Sequence, residues 1–136
     1  MSLNNIYDIA GSSLSAQTLR LNTVASNMAN AESVGETPGQ AYKARRPVFS
    51  ELLDQEMNSA GSKVSISEVM ESTAEPLMRY EPDNPLANDE GYVFYPDINL
   101  VEEMADMMSA TRSYQTSVEV MNNARRMHER LLSLGQ

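Results

Sequence analysis

The chain contains no cysteine and no tryptophan, and only one histidine and two phenylalanines among its 136 residues. Disulfides, thiolate metal sites and cysteine nucleophiles are thereby excluded. Basic residues are scarce as well: 10 Lys and Arg stand against 19 Asp and Glu, for a formal charge of −9. Phosphate affinity comes from Lys and Arg, so a chain without a basic stripe is not built for nucleic acid or for an anionic membrane surface. No run approaches the roughly 18 consecutive apolar residues of a bilayer span, so no membrane insertion is expected. The start, Met1 to Asp8, lacks the basic and apolar segments of a secretory signal, so any export is expected to use another route, without a cleaved signal peptide.

Catalytic patterns are missing too. There is no phosphate loop, GxSxG elbow, HExxH or dinucleotide fingerprint. Pro85 and Leu86 break the ligand spacing that Asp83 to Gly91 would need for a calcium loop. His128, between Met127 and Glu129, reads as a packing or dipole-compensating residue, and Glu102, Glu103 and Asp106 read as a solvated charge set at a helix start. No catalytic residue, metal ligand or cofactor is assigned.

The distribution of proline gives the positive signal. All six prolines fall between Pro38 and Pro96, leaving Met1 to Glu36 and Asp97 to Gln136 free of the residue a helix interior tolerates least. Both ends carry helical periodicity. At the N-terminal end one heptad row holds Tyr7, Leu14, Leu21 and Met28, and the other holds Leu3, Ala10, Gln17 and Val24. Up to Ser33 the only charges are Asp8, Arg20 and Glu32, so the outer face is small and uncharged, as where several helices approach one another.

The C-terminal end carries a second row through Leu100, Met104, Met107, Thr111, Tyr114, Val118, Met121 and Leu132, widened by Met108, Ala110, Ala124, Met127 and Leu131. That width suits more than one partner helix, and the flexible methionine thioethers suit non-identical neighbours. Asn99 is placed as an N-cap with Glu102 three residues on, acids occupy the first turns, arginines the last, and Gly135 supplies a stop.

Between the helices the acidity concentrates, with 11 acidic against 5 basic residues from Val34 to Pro96. Extended segments are predicted at Tyr42 to Phe49, Lys63 to Glu71, Leu77 to Tyr80 and Tyr92 to Tyr95, a helical turn at Ser50 to Met57, and loops at Ser33 to Gln40, Ser59 to Ser62 and Glu81 to Gly91. The fold class is thus mainly α with a small β insertion: residues 1–33 and 97–136 form an antiparallel coiled-coil pair, and residues 34–96 form a small β-hairpin domain. From these residues alone, a subunit of a helical polymer and a self-contained helical adaptor could use the same seams.

Two stretches separate those readings. Leu21-Asn22-Thr23-Val24-Ala25-Ser26-Asn27-Met28-Ala29-Asn30-Ala31 resembles the N-terminal signature of bacterial flagellar rod and hook proteins, although Glu32 stands where a small residue is more usual. Gly91-Tyr92-Val93, Tyr95 to Met104, Met107 to Ala110 and Arg112-Ser113-Tyr114-Gln115 resemble the C-terminal region of a proximal rod member of that family, and the resemblance extends over essentially the whole chain. It implies a structural subunit, not an enzyme. The subunit would be exported through the flagellar type III apparatus and polymerise helically into the rod that crosses the periplasm. Its implied partners are other copies of itself, other proximal rod proteins, the export-gate adaptor at the rod base and the distal rod protein. The terminal helices would form the inner layer, with an assembly interface of Leu14, Leu21, Val24, Asn27, Met28, Asn30, Leu100, Met104, Met107, Met108, Arg112, Tyr114, Val118 and Met121. Asn27 and Asn30 would bond between helices, and Glu103 and Arg112 would pair between subunits or solvate a face.

Overall fold

A computed structural model describes residues 3–52 and 63–134. Helix α1 covers Leu3–Ala29 and helix α2 covers Leu100–Leu134. Between them lie β1 (Arg45–Leu52), β2 (Lys63–Glu71), β3 (Leu77–Tyr80) and β4 (Tyr92–Tyr95). The helices are antiparallel: Ser13 meets Ser117 near one end of the pair and Asn27 meets Glu103 near the other.

Helix α1 ends four residues before Ser33. The Asn30 amide donates to the Ser26 carbonyl at 2.8 Å, and the backbone tightens into three-residue turns from Ala31 to Met28 and Ser33 to Asn30. A short polar side chain thus satisfies a carbonyl that the next helical turn would have used. At the start of α2, Asn99 caps as its spacing predicts, accepting from the Val101 and Glu102 amides at 3.0 and 3.4 Å. The Glu102 carboxylate reaches Arg46 at 3.0 Å.

The middle forms two separate two-stranded antiparallel sheets, β1–β2 and β3–β4. Ser50 to Leu52 belongs to β1, which corrects the helical turn expected there. The sheet ladder with Ser65, Val64 and Lys63 outweighs the local preference, and the rest of that segment lies outside the described residues, as does the loop expected at Ser59 to Ser62. Strand β1 also begins three residues later than expected, because Tyr42 is held at α1 by bonds to Asn27 and Ser26. A bulge between Val48 and Phe49 bends the first hairpin. That hairpin lies along α1, where the Val64 amide donates to the Ser12 hydroxyl and Lys63 faces Asp8.

In the second hairpin Tyr80 and Tyr92 are opposite residues whose rings meet edge to face at 5.2 Å. The Arg79 guanidinium stacks 4.6 Å from the Tyr95 ring centre. Partial desolvation raises the Tyr95 phenol above its ordinary pKa, and the bond it donates to Glu81 adds to the effect.

Backbone bonds in both directions between Gly35 and Phe94 tie the end of the first loop to β4. A Cβ at Gly35 would stand 2.7 Å from the Ala41 backbone nitrogen, so only glycine fits there. Gly35→Ala is expected to cost about 1–3 kcal/mol, read as a lower thermal midpoint of the purified chain.

Among the described residues, buried apolar ones are few and small: Ala10, Ala16, Val24, Ala41, Ala44, Val93, Ala110 and Ala124. Large side chains lie elsewhere. Met104, Met108, Leu131 and Leu132 are each at least half exposed on α2, and Met78 and Tyr80 are so on β3.

Candidate assembly interface

Alanine and serine on facing positions let the two helix backbones approach closely, and polar groups occupy the remaining space. Along α1 the row that meets α2 is Ser13, Arg20 and Asn27, one heptad apart. The Ser13 and Ser117 hydroxyls are 2.9 Å apart, Arg20 forms an ion pair with Asp106, and the Asn27 amide donates to Glu103 at 3.1 Å. Ala10 and Val24 lie buried beside this row, as their heptad position predicts. The apolar row Leu14, Leu21 and Met28, one position further round the helix, is only partly covered.

Asn27 is the most fully engaged polar residue, at 1% exposure. Its amide nitrogen donates to the Arg45 carbonyl at 2.9 Å and to Glu103, while its carbonyl oxygen accepts from the Arg45 amide at 2.9 Å and the Tyr42 hydroxyl at 3.0 Å. One side chain therefore fastens α1 to the entry of β1 and to α2. Buried amides are retained where every donor and acceptor finds a partner, and here four contacts meet that condition.

Glu103 was expected near solvent, and the structure corrects this: it is 3% exposed, held by Asn27 and by Arg46 at 3.5 Å. Arg46 also holds Glu102, so β1 is clamped to the first turn of α2. The contact of Glu103 is therefore within the chain. Its role was missed because periodicity counts apolar residues, while the informative signal was the polar row at 13, 20 and 27.

The remaining candidate residues divide by exposure. Val24 and Asn27 are internal, and Asn30 bonds its own helix. Leu14, Leu21, Met28, Met107, Val118 and Met121 are partly covered. Leu100, Met104, Met108, Arg112 and Tyr114 are exposed. Met104, Met107, Met108, Thr111 and Arg112 come together around a shallow depression on the outer side of α2. His128 is exposed. Among the described residues no helix is long and apolar enough to cross a membrane, and no group of three acidic or histidine side chains is placed to hold a metal.

A helical hairpin whose internal seam carries polar pairs and whose large apolar residues face outward has the surface expected of a structural subunit. Comparison with known proteins agrees. A family profile described as "Flagella basal body rod protein" matches residues 8–35, and one described as "Flagellar basal body rod FlgEFG protein C-terminal" matches residues 89–134. Over its full 136 residues the chain is 48% identical to the flagellar basal-body rod protein FlgC of Salmonella typhimurium and 44% identical to that of Yersinia enterocolitica, covering 100% of both relatives. The FlgC of Aquifex aeolicus is 37% identical over 96% of this chain and 95% of the relative.

The chain belongs to the FlgC family of flagellar basal-body rod proteins. It is a structural subunit of the flagellar basal-body rod, not an enzyme.

Proposed function

We propose that this chain polymerises helically in the proximal rod through its two terminal helices, with residues 1–33 and 97–136 in the inner layer and residues 34–96 outside. The observation that supports this reading is the inverted polarity of α2: Glu103, Ala110 and Ala124 are buried inside the chain, while Met104 is 50% and Met108 59% exposed. Covering apolar surface stabilises at about 25 cal/mol per Å², and a lone hairpin forgoes that gain until neighbours arrive. Assembly is then linked to order, because partners bind only the helical form.

The neighbours are other copies, other proximal rod proteins, the export-gate adaptor at the base and the distal rod protein above. Leu100, Met104, Met107, Met108, Arg112 and Tyr114 of α2, with Leu14, Leu21 and Met28 of α1, form the contact surface; Val118 and Met121 extend it, and Asn30 stands at its edge. Val24 and Asn27 support it from inside. The rod lies in the periplasmic space, and the subunit reaches it by flagellar export.

A direct test compares limited proteolysis of the purified chain with that of isolated basal bodies. The free chain is expected to be monomeric and to lose the ends of both helices rapidly, whereas the same bonds in basal bodies resist. A compact, protease-resistant dimer in dilute solution would refute the reading.

A further inference from the structure

We infer that the polar rungs Arg20–Asp106 and Asn27–Glu103 set the register between α1 and α2, a choice that packing opposite Ser13 leaves open. On α2 the small residues that line the seam recur at intervals of one heptad: Ala110, Ser117 and Ala124. Ala110 and Ala124 are fully or nearly buried, and Ser117 faces Ser13 at 2.9 Å. A shift of seven residues in either direction therefore places an alanine opposite Ser13. Opposite Ser13 such a slip alters side-chain volume by little more than a hydroxyl, so close packing at that position discriminates weakly among the three alignments.

The polar contacts discriminate strongly. Ser13–Ser117 and Asn27–Glu103 are two heptads apart on both helices, so they define one common alignment. Sliding α2 so that Ala124 faces Ser13 carries Glu103 and Asp106 beyond Ala29, where α1 ends. Asn27 would then face Ala110, and Arg20 would lose its carboxylate. Sliding the other way puts Ala110 opposite Ser13 and leaves Asn27 beyond Leu100, where α2 begins. Either slip parts Asn27 from Glu103, which are buried together in the native alignment, and an unpaired buried amide or carboxylate is costly, although the second slip brings Glu103 opposite Arg20. Single polar residues in a helix seam are known to fix register in this way, at some expense of stability.

The register matters for assembly because it fixes where the exposed methionines of α2 stand relative to Leu14, Leu21 and Met28 on α1. A slip of one heptad moves them about 10 Å along the axis. Neighbouring subunits would then meet a different surface.

The natural absence of cysteine makes the test direct. Three full-length reporter chains are oxidised and their crosslinked peptides quantified by mass spectrometry: S13C with S117C for the native alignment, and S13C with A110C or A124C for the two slips. With both rungs present, the 13–117 bond is expected to form and the slipped bonds to be absent or minor. Neutralising the rungs by R20Q with D106N and by N27L with E103L is expected to raise a slipped bond to a level comparable with the native one. The exchanged pair R20D with D106R, in a chain that retains Asn27 and Glu103, is expected to keep the native bond dominant and guards against a trivial loss of folding. Dominance of the 13–117 bond in the neutralised chains would overturn the inference. So would slipped bonds in the exchanged chain, or a failure of the unmodified rungs to favour 13–117. Because the readout lies within one chain, it is independent of whether the outer methionines contact other subunits.

Discussion

Met104→Asp or Met108→Asp is expected to abolish swimming and incorporation into basal bodies while leaving the helical content of the purified chain unchanged. The two methionines are 50% and 59% exposed, and surface substitutions at such positions usually change folding stability by no more than about 0.5 kcal/mol. In an assembled rod the same positions would be buried against neighbours. Each subunit would then have to desolvate a carboxylate in an apolar contact, at a cost of several kcal/mol per interface. Because the contact repeats along a polymer, the penalty recurs at every addition. Met108→Leu preserves volume and polarity and is expected to swim normally, which separates loss of apolar contact from loss of methionine itself. Motility assays with immunoblots of purified basal bodies provide the measurement, and full motility of both aspartate variants would remove this face from the interface.

The second large effect is expected at Asn27, and it acts on folding. Asn27→Leu fits the volume but strands the Arg45 amide and carbonyl and one side of the Glu103 carboxylate, and leaves the Tyr42 hydroxyl with Ser26 alone. Unsatisfied buried groups of this kind make the expected loss about 3 kcal/mol, even though Arg46 still holds Glu103. A substantially lower thermal midpoint by circular dichroism is the readout, and a midpoint unchanged from the natural chain would show that the network contributes nothing net. Asn27→Asp supplies a sharper control. It keeps the acceptor for Arg45 and Tyr42 but sets a second carboxylate against Glu103, so its thermal midpoint should also fall below that of the natural chain.

Both predictions rest on a division of labour that periodicity alone describes only in part. The rows of apolar residues on α1 and α2 were legible because leucine, valine and methionine recur at helical spacing in segments free of proline. The four strands were legible because alternation and turn residues bracket them, although β1 begins and ends later than its local pattern suggests. Periodicity failed at Glu103, which looks like an ordinary first-turn acid and is in fact buried. It also failed at the seam itself, where the row against α2 is Ser13, Arg20 and Asn27 while Leu14, Leu21 and Met28 remain partly open. A heptad pattern reports which residues avoid water; it does not say whether the partner that covers them is the same chain or another one.

The sequence by itself determined that two long terminal helices flank a short β-rich insertion and that the flagellar rod signatures sit at both ends. These follow from local physics: proline placement, capping at Asn99, side-chain period and residue type act over a few positions. The tertiary structure alone decided which face of each helix turns inward, because that depends on groups distant in sequence. Asn27 finds Arg45 and Glu103, and Arg20 finds Asp106, only once the chain has folded back on itself. Once those polar partners claim the inside, the large apolar side chains are left facing outward.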